Sequence, residues 1–195
     1  IACALSEQLD RKITDKVIVP VGNAGNISAI WKGFRELYAM GLVDRLPQMV
    51  GIQAEGAAPI ANLIKRGFGD IEFVNRPETI ATAIRIGSPV NWKKAVRAIK
   101  ESGGMAETVS DDEILEAQRL LAKYEGIFVE PAGAASAAGL MRLAREGLIG
   151  RDELVVCVAT GHGLKDPDIV LRQFPKPVEI EADIKALVDI LLSEN

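Results

Sequence analysis

Cysteine and histidine are scarce in this chain, basic clusters are missing, and no apolar run is long; each shortage closes off a class of function. Cys3, Cys157 and His162 are the only cysteines and the only histidine. They show no metal-type spacing, so no metal site is expected, and a disulfide scaffold is excluded. This usage fits a reduced, cytoplasmic chain whose cysteines act as small buried hydrophobes. Lysine and arginine gather on no single face and the net charge is −4, which argues against nucleic acid as a partner. No apolar run approaches the roughly 20 residues that span a bilayer, so no membrane partner is expected. Internal repeats and low-complexity segments are also absent. The opening stretch, Ile1 to Leu9, has no initiator Met, no basic n-region and no cleavage-site pattern. Leu5 and Leu9 stand four apart, as in the interior of a helix, so the chain is expected to start inside a domain whose N-terminal part is missing.

What is present is the composition of an ordinary globular protein: 195 residues, 48% hydrophobic and 26% charged, enough for one large core. Apolar strand patterns alternate with helical ones. Strands are expected at 17–21, 49–54, 105–109, 127–129 and 154–159, with a further edge strand at 178–180. Helices are expected at 27–40, 58–66, 91–102, 110–124, 131–146 and 182–192. The first of these puts Ile27, Ile30, Trp31, Phe34, Leu37 and Tyr38 on one face, with Asn26 as N-cap. Ser110 and Glu113 make a capping box. In the last helix Ile184, Leu187, Val188 and Leu191 are expected to face inward. The run 154–159 is apolar throughout, as in a strand buried on both faces of a parallel sheet. Residues 69–89 lack periodicity but are apolar in the middle, which suggests a long functional loop. This order implies an α/β fold, a doubly wound and mostly parallel sheet with helices on both faces. Ligands in such sheets bind at the strand C-terminal ends, here the loops at 22–26, 55–58, 130–134 and 160–163.

The loop Gly22-Asn23-Ala24-Gly25-Asn26 stands between an apolar run and a helical pattern. Glycine and asparagine tolerate the left-handed backbone that turns successive N–H groups inward, and the following helix adds its free donors. A nucleotide P-loop is excluded, because no lysine follows until Lys32. A dinucleotide fingerprint lacks its third glycine, and Glu55 lies too far on to be its acidic residue. A tight turn serving backbone shape alone stays open. A single phosphate monoester, held by backbone donors and small side chains, suits the segment, and pyridoxal phosphate is a cofactor with such a handle.

Four segments together carry a resemblance: V-P-V-G-N-A-G-N at 19–26, I-A-T-A-I-R-I-G-S-P-V-N-W at 80–92, E-P-A-G-A-A at 130–135 and A-T-G-H-G-L-K-D-P at 159–167. The chain resembles the C-terminal half of the threonine synthases, pyridoxal-phosphate enzymes of fold type II (the tryptophan-synthase β-like family), over essentially its whole length. The resemblance implies a partial large cofactor domain spanning 1–195, with Gly22, Asn23, Ala24, Gly25 and Asn26 binding the cofactor phosphate and the Thr160 hydroxyl facing the pyridine nitrogen. It implies a lyase of amino-acid (threonine) biosynthesis that turns O-phosphohomoserine and water into threonine and phosphate. A serine/threonine dehydratase of the same family, or a non-catalytic assembly module, are the alternatives. It also implies a small-molecule amino-acid phosphate as substrate and a homodimer for the full-length enzyme. The Schiff-base lysine of such enzymes sits in an S-F-K-D-R-like segment, and no lysine of this chain has that context. Hence no catalytic residue is assigned, and the chain alone is expected to be inactive. Thr160 has a second reading as a helix N-cap, and His162 reads either as a general base or as a spacer. The segment 79–85 is expected to cover one face of the ring, with Ala81 and Ala83 allowing close approach. Arg85 stands between a substrate-phosphate contact and a surface salt bridge. Glu130 at the start of its helix favours the dipole and is left out of the site.

Overall fold

A computed structural model describes residues 1–173 and 179–193. The chain divides into two compact units, Ile1–Lys165 and Asp166–Asn195. The first is built on four parallel strands: β1 (Lys16–Pro20), β2 (Gln48–Ala54), β3 (Met105–Val109) and β4 (Val155–Cys157). Their spatial order is β3-β2-β1-β4. Ile18 stands opposite Val50 on one side and Cys157 on the other, and Val50 stands opposite Met105. Parallel neighbours require crossovers, and five helices of this unit lie in them: α2 (Gly25–Ala39), α3 (Pro59–Lys65), α4 (Trp92–Glu101), α5 (Asp111–Leu120) and α6 (Pro131–Arg145), while α1 (Ala2–Gln8) precedes β1.

Strand side chains alternate between faces, and here the alternation divides the interior into two cores. Val17 and Val19 join residues of α1, α2, α3 and α4, while Ile18 joins residues of α5 and α6. The sheet is therefore covered on both faces, as expected of a doubly wound fold. All five residues of β1 are buried; the one charge among them, Lys16, is paired with Glu153 at 2.5 Å. In α2 the stripe Ile27, Ile30, Trp31, Phe34 and Leu37 is buried. Tyr38, expected with it, is half exposed, because it lies one residue round the helix from Leu37. Ser110 and Glu113 form the expected capping box, with Ser110 Oγ accepting from the Glu113 N–H at 3.2 Å and Glu113 Oε2 accepting from the Ser110 N–H at 2.9 Å.

Other expectations are corrected. α2 starts at Gly25 with Ala24, not Asn26, at its N-cap. Residues 127–129 form no strand: Val129 makes a single antiparallel bridge to His162. The strand expected at 154–159 shortens to β4, which is half-buried because it has a neighbour on one side only. Cys3 is exposed, since α1 buries Ala2 and Ser6 instead. The second unit has α7 (Pro167–Gln173) and α8 (Ile184–Ser193). In α8, Ile184, Leu187 and Val188 are exposed rather than inward, and the Leu191 side chain lies outside the described residues. Of the strand expected at 178–180, Val178 lies outside the described residues, and Glu179 and Ile180 form no strand.

Candidate functional site

The central strand β1 delivers the glycine loop. The Val21 N–H still donates to the Ile52 carbonyl at 2.7 Å, and then the chain turns. Gly22 is forced by crowding: a Cβ there would sit 2.9 Å from the Ala83 carbonyl oxygen and 3.0 Å from Ile84 Cα. Asn23 is tied to the opposite wall, its carbonyl accepting from the Asn91 N–H at 3.1 Å and its Oδ1 from the Val90 N–H at 3.4 Å. Ala24 takes a left-handed conformation, φ 64° and ψ 14°, and α2 begins at the next residue. Left-handed and right-handed residues in succession form a concave nest of N–H groups.

No side chain caps α2, and its first turn carries no acidic residue. Among the described residues, no protein acceptor takes the N–H groups of Asn23, Ala24 or Gly25. The Ser28 hydroxyl, which could have competed, donates instead to the Ala24 carbonyl at 2.6 Å. The positive end of a four-turn helix is thus left open for an anion.

Sequence reasoning missed the brace behind this loop. Gln53, at the C-terminal end of β2, is buried. Its amide donates to the Val21 carbonyl at 3.2 Å and accepts from the Ile60 and Ala61 N–H groups, each at 2.9 Å. One side chain therefore caps the start of α3 and fixes the residue before Gly22. A lone glutamine inside the apolar run M-V-G-I-Q-A was the available signal.

The long segment 69–90 is an ordered wall. The Thr79 hydroxyl donates to Asp111 Oδ1 at 2.5 Å and the Ile80 N–H to Asp111 Oδ2 at 3.1 Å. Val74 N–H reaches the Gly87 carbonyl at 3.0 Å and Glu78 N–H the Gly56 carbonyl at 3.1 Å. Ala81 and Ile84 are buried in the α5–α6 core; Ala83 is exposed. Arg85 is exposed, and no carboxylate among the described residues lies within salt-bridge distance of it. The surface ion pair is not formed.

Thr160 follows β4, the direct neighbour of β1. The pairing of the two strands ends at Ile18 and Cys157, and the Val158 N–H still donates to the Ile18 carbonyl at 2.9 Å, two residues before Thr160. Thr160 is half-buried and is not an N-cap, since the next helical turn is Gly163–Lys165. His162 is exposed; its Nδ1 accepts from the Leu164 N–H at 3.2 Å, and its ring meets Phe128 edge-on with centroids 5.6 Å apart. It shapes its own turn. The first turn of α6 packs directly beneath: a Cβ on Gly133 would collide with the Thr160 carbonyl. Glu130 precedes this helix but does not cap it. Its side chain, 7% exposed, is paired with Lys165 at 3.0 Å. Below the loop, Cys157 is pushed up to about 12 by burial.

The fold is a parallel α/β sheet that sets an uncapped helix N-terminus and a threonine-bearing loop at the ends of adjacent strands. The family described as pyridoxal-phosphate dependent enzyme matches residues 1–161, and the chain belongs to that family. It is 58% identical over 191 residues to the threonine synthase of Methanocaldococcus jannaschii, covering 98% of this chain and 47% of that protein. It is 51% identical over 173 residues to the threonine synthase of Mycobacterium tuberculosis strain H37Rv, covering 89% and 46%. The chain spans about half the length of these curated relatives. Among solved structures, a fungal L-serine ammonia-lyase from Rhizomucor miehei matches with a TM-score of 0.71 at 21% identity, covering 89% of this chain and 54% of that one. That likeness shows the fold, that of fold type II pyridoxal-phosphate enzymes.

The residues present fit that cofactor. Its phosphate needs unpaired backbone donors and no competing carboxylate, which is what the start of α2 presents. Its ring nitrogen needs a small polar side chain at neighbouring depth, and Thr160 is the hydroxyl in that loop.

Proposed function

We propose that the chain is the cofactor-holding half of a threonine synthase, a lyase that converts O-phosphohomoserine and water to threonine and phosphate. The observation that carries this reading is the pairing, on adjacent strands, of the open glycine-loop helix with the Thr160 loop, in a chain with the identities given above. Pyridoxal phosphate, when bound, supplies an electron sink for charge developing on the substrate carbons. Gly22, Asn23, Ala24, Gly25 and Asn26 bind its phosphate through backbone donors. Thr160 holds the ring nitrogen through a neutral hydroxyl. An aspartate would stabilise a full positive charge there; a hydroxyl leaves a milder sink, suited to elimination and replacement at the β and γ carbons.

The segment 79–85 forms a wall beside the cradle, and Arg85, free of any ion pair among the described residues, is available to the substrate's phosphate. No lysine of this chain stands in an S-F-K-D-R-like context, so the chain by itself does not turn over substrate. The family resemblance supports a cytoplasmic homodimer for the full-length enzyme. No helix among the described residues is long and apolar enough to cross a membrane.

The test is an assay of the full-length protein that contains this chain. Release of inorganic phosphate and threonine from O-phosphohomoserine supports the reading. Ammonia release from threonine or serine without phosphate release would make it a dehydratase, and no activity with a bound partner protein would make it an assembly module.

A further inference from the structure

The ion pair between Glu130 and Lys165 has no part in the function proposed above, yet one of its members is nearly sealed from solvent. We propose that Lys165 is a positioning residue: by pairing with Glu130 it locks the loop 160–163, and with it the Thr160 hydroxyl, onto the first turn of α6. This rests on the reading of Thr160 as the partner of the ring nitrogen.

The geometry runs through five contacts. Lys165 Nζ donates to Glu130 Oε1 at 3.1 Å and lies 3.0 Å from Oε2. The Glu130 N–H donates to the Gly161 carbonyl at 3.3 Å, and the Gly163 N–H to the Phe128 carbonyl at 3.1 Å. Gly161 has φ 65°, and a Cβ on it would strike the Glu130 carboxylate. Gly133 meets the Thr160 carbonyl with no room for a Cβ. The loop is thus held from both sides, by backbone bonds and by a carboxylate lying against the residue after Thr160.

The two partners differ in exposure, 7% for the Glu130 side chain and 60% for Lys165. An exposed amine gains little from a pair. A buried carboxylate deprived of its partner is destabilised strongly, and Lys165 is the sole partner of the Glu130 carboxylate among the described residues. While paired with Lys165, Glu130 makes no side-chain capping bond to its own helix. The pair has an electrostatic consequence as well. It neutralises a carboxylate that lies against Gly161, the residue after Thr160, so the ring nitrogen meets a hydroxyl and not a bare carboxylate.

The test compares the chain with Lys165→Met, Lys165→Arg and the double variant Glu130→Gln/Lys165→Met. Amide hydrogen exchange is followed on the ligand-free protein. The ring-nitrogen ¹⁵N shift is followed on labelled pyridoxine 5′-phosphate, which has no aldehyde and needs no lysine. Lys165→Met is expected to speed exchange of the 161–165 amides about tenfold or more, with α2 unchanged. It should also move the bound ring nitrogen towards its protonated shift. Lys165→Arg should restore both readouts, and the double variant should restore the nitrogen shift. Exchange in Lys165→Met equal to the parent chain, or an arginine no better than methionine, would overturn the clamp. If the parent chain bound no pyridoxine 5′-phosphate, the cofactor reading would fall, and the exchange data would still decide the clamp.

Discussion

At the scale of single residues, the site is made by small side chains that allow close approach. Gly22 meets the 83–84 backbone, Gly133 meets Thr160, and Gly161 meets Glu130. Glycines and asparagines beside an apolar run are turn markers in any sequence, so the 22–26 loop was legible. Thr160 became legible only through the resemblance, because a threonine after a strand has many uses. Glu130 and Lys165 stayed hidden because 35 positions separate them and only the fold joins them. The two cysteines divide by environment, one exposed and one below the Thr160 loop. Burial alone holds the Cys157 thiol near 12, so at pH 8 it stays protonated and a poor nucleophile. Iodoacetamide should therefore label Cys3 in the native protein, with Cys157 labelled only after denaturation, as peptide mass spectrometry would record. Equal native labelling of both would contradict this account of Cys157.

At the scale of elements, periodicity identified most helices because each has one buried stripe, as α2 does with Ile27, Ile30, Trp31, Phe34 and Leu37. The capping box at Ser110 was legible because both of its bonds are local. Ser110→Ala should lower stability by about 1 kcal/mol, read as a fall in the denaturation midpoint with unchanged m-value. The helix also presents Asp111 to the 79–80 segment, so the same variant should loosen that wall. The strand ends were less legible. An apolar run does not say how many neighbours it will have, and the 154–159 segment was read as interior when β4 is an edge strand. Phe128 and Val129 look like strand residues, but they pair with the loop after β4. That pairing brings Glu130 to the site.

At the scale of the whole molecule, one parallel sheet with a core on each face places the loops after β1 and β4 side by side. The alternation of strand and helix made that architecture legible. The order of the strands was not, since it depends on which crossovers pack best. The sheet order is what brings the 22–26 loop beside the loop that carries Thr160. The central claim is that residues 22–26 bind the cofactor's phosphate, and amide chemical shifts of the ¹⁵N-labelled chain test it directly. On titration with pyridoxine 5′-phosphate, the amides of Asn23, Ala24, Gly25 and Asn26 should shift in a saturable way. Unphosphorylated pyridoxine at the same concentration should leave them in place. Shifts confined to other surfaces, or the same response to both compounds, would contradict the account.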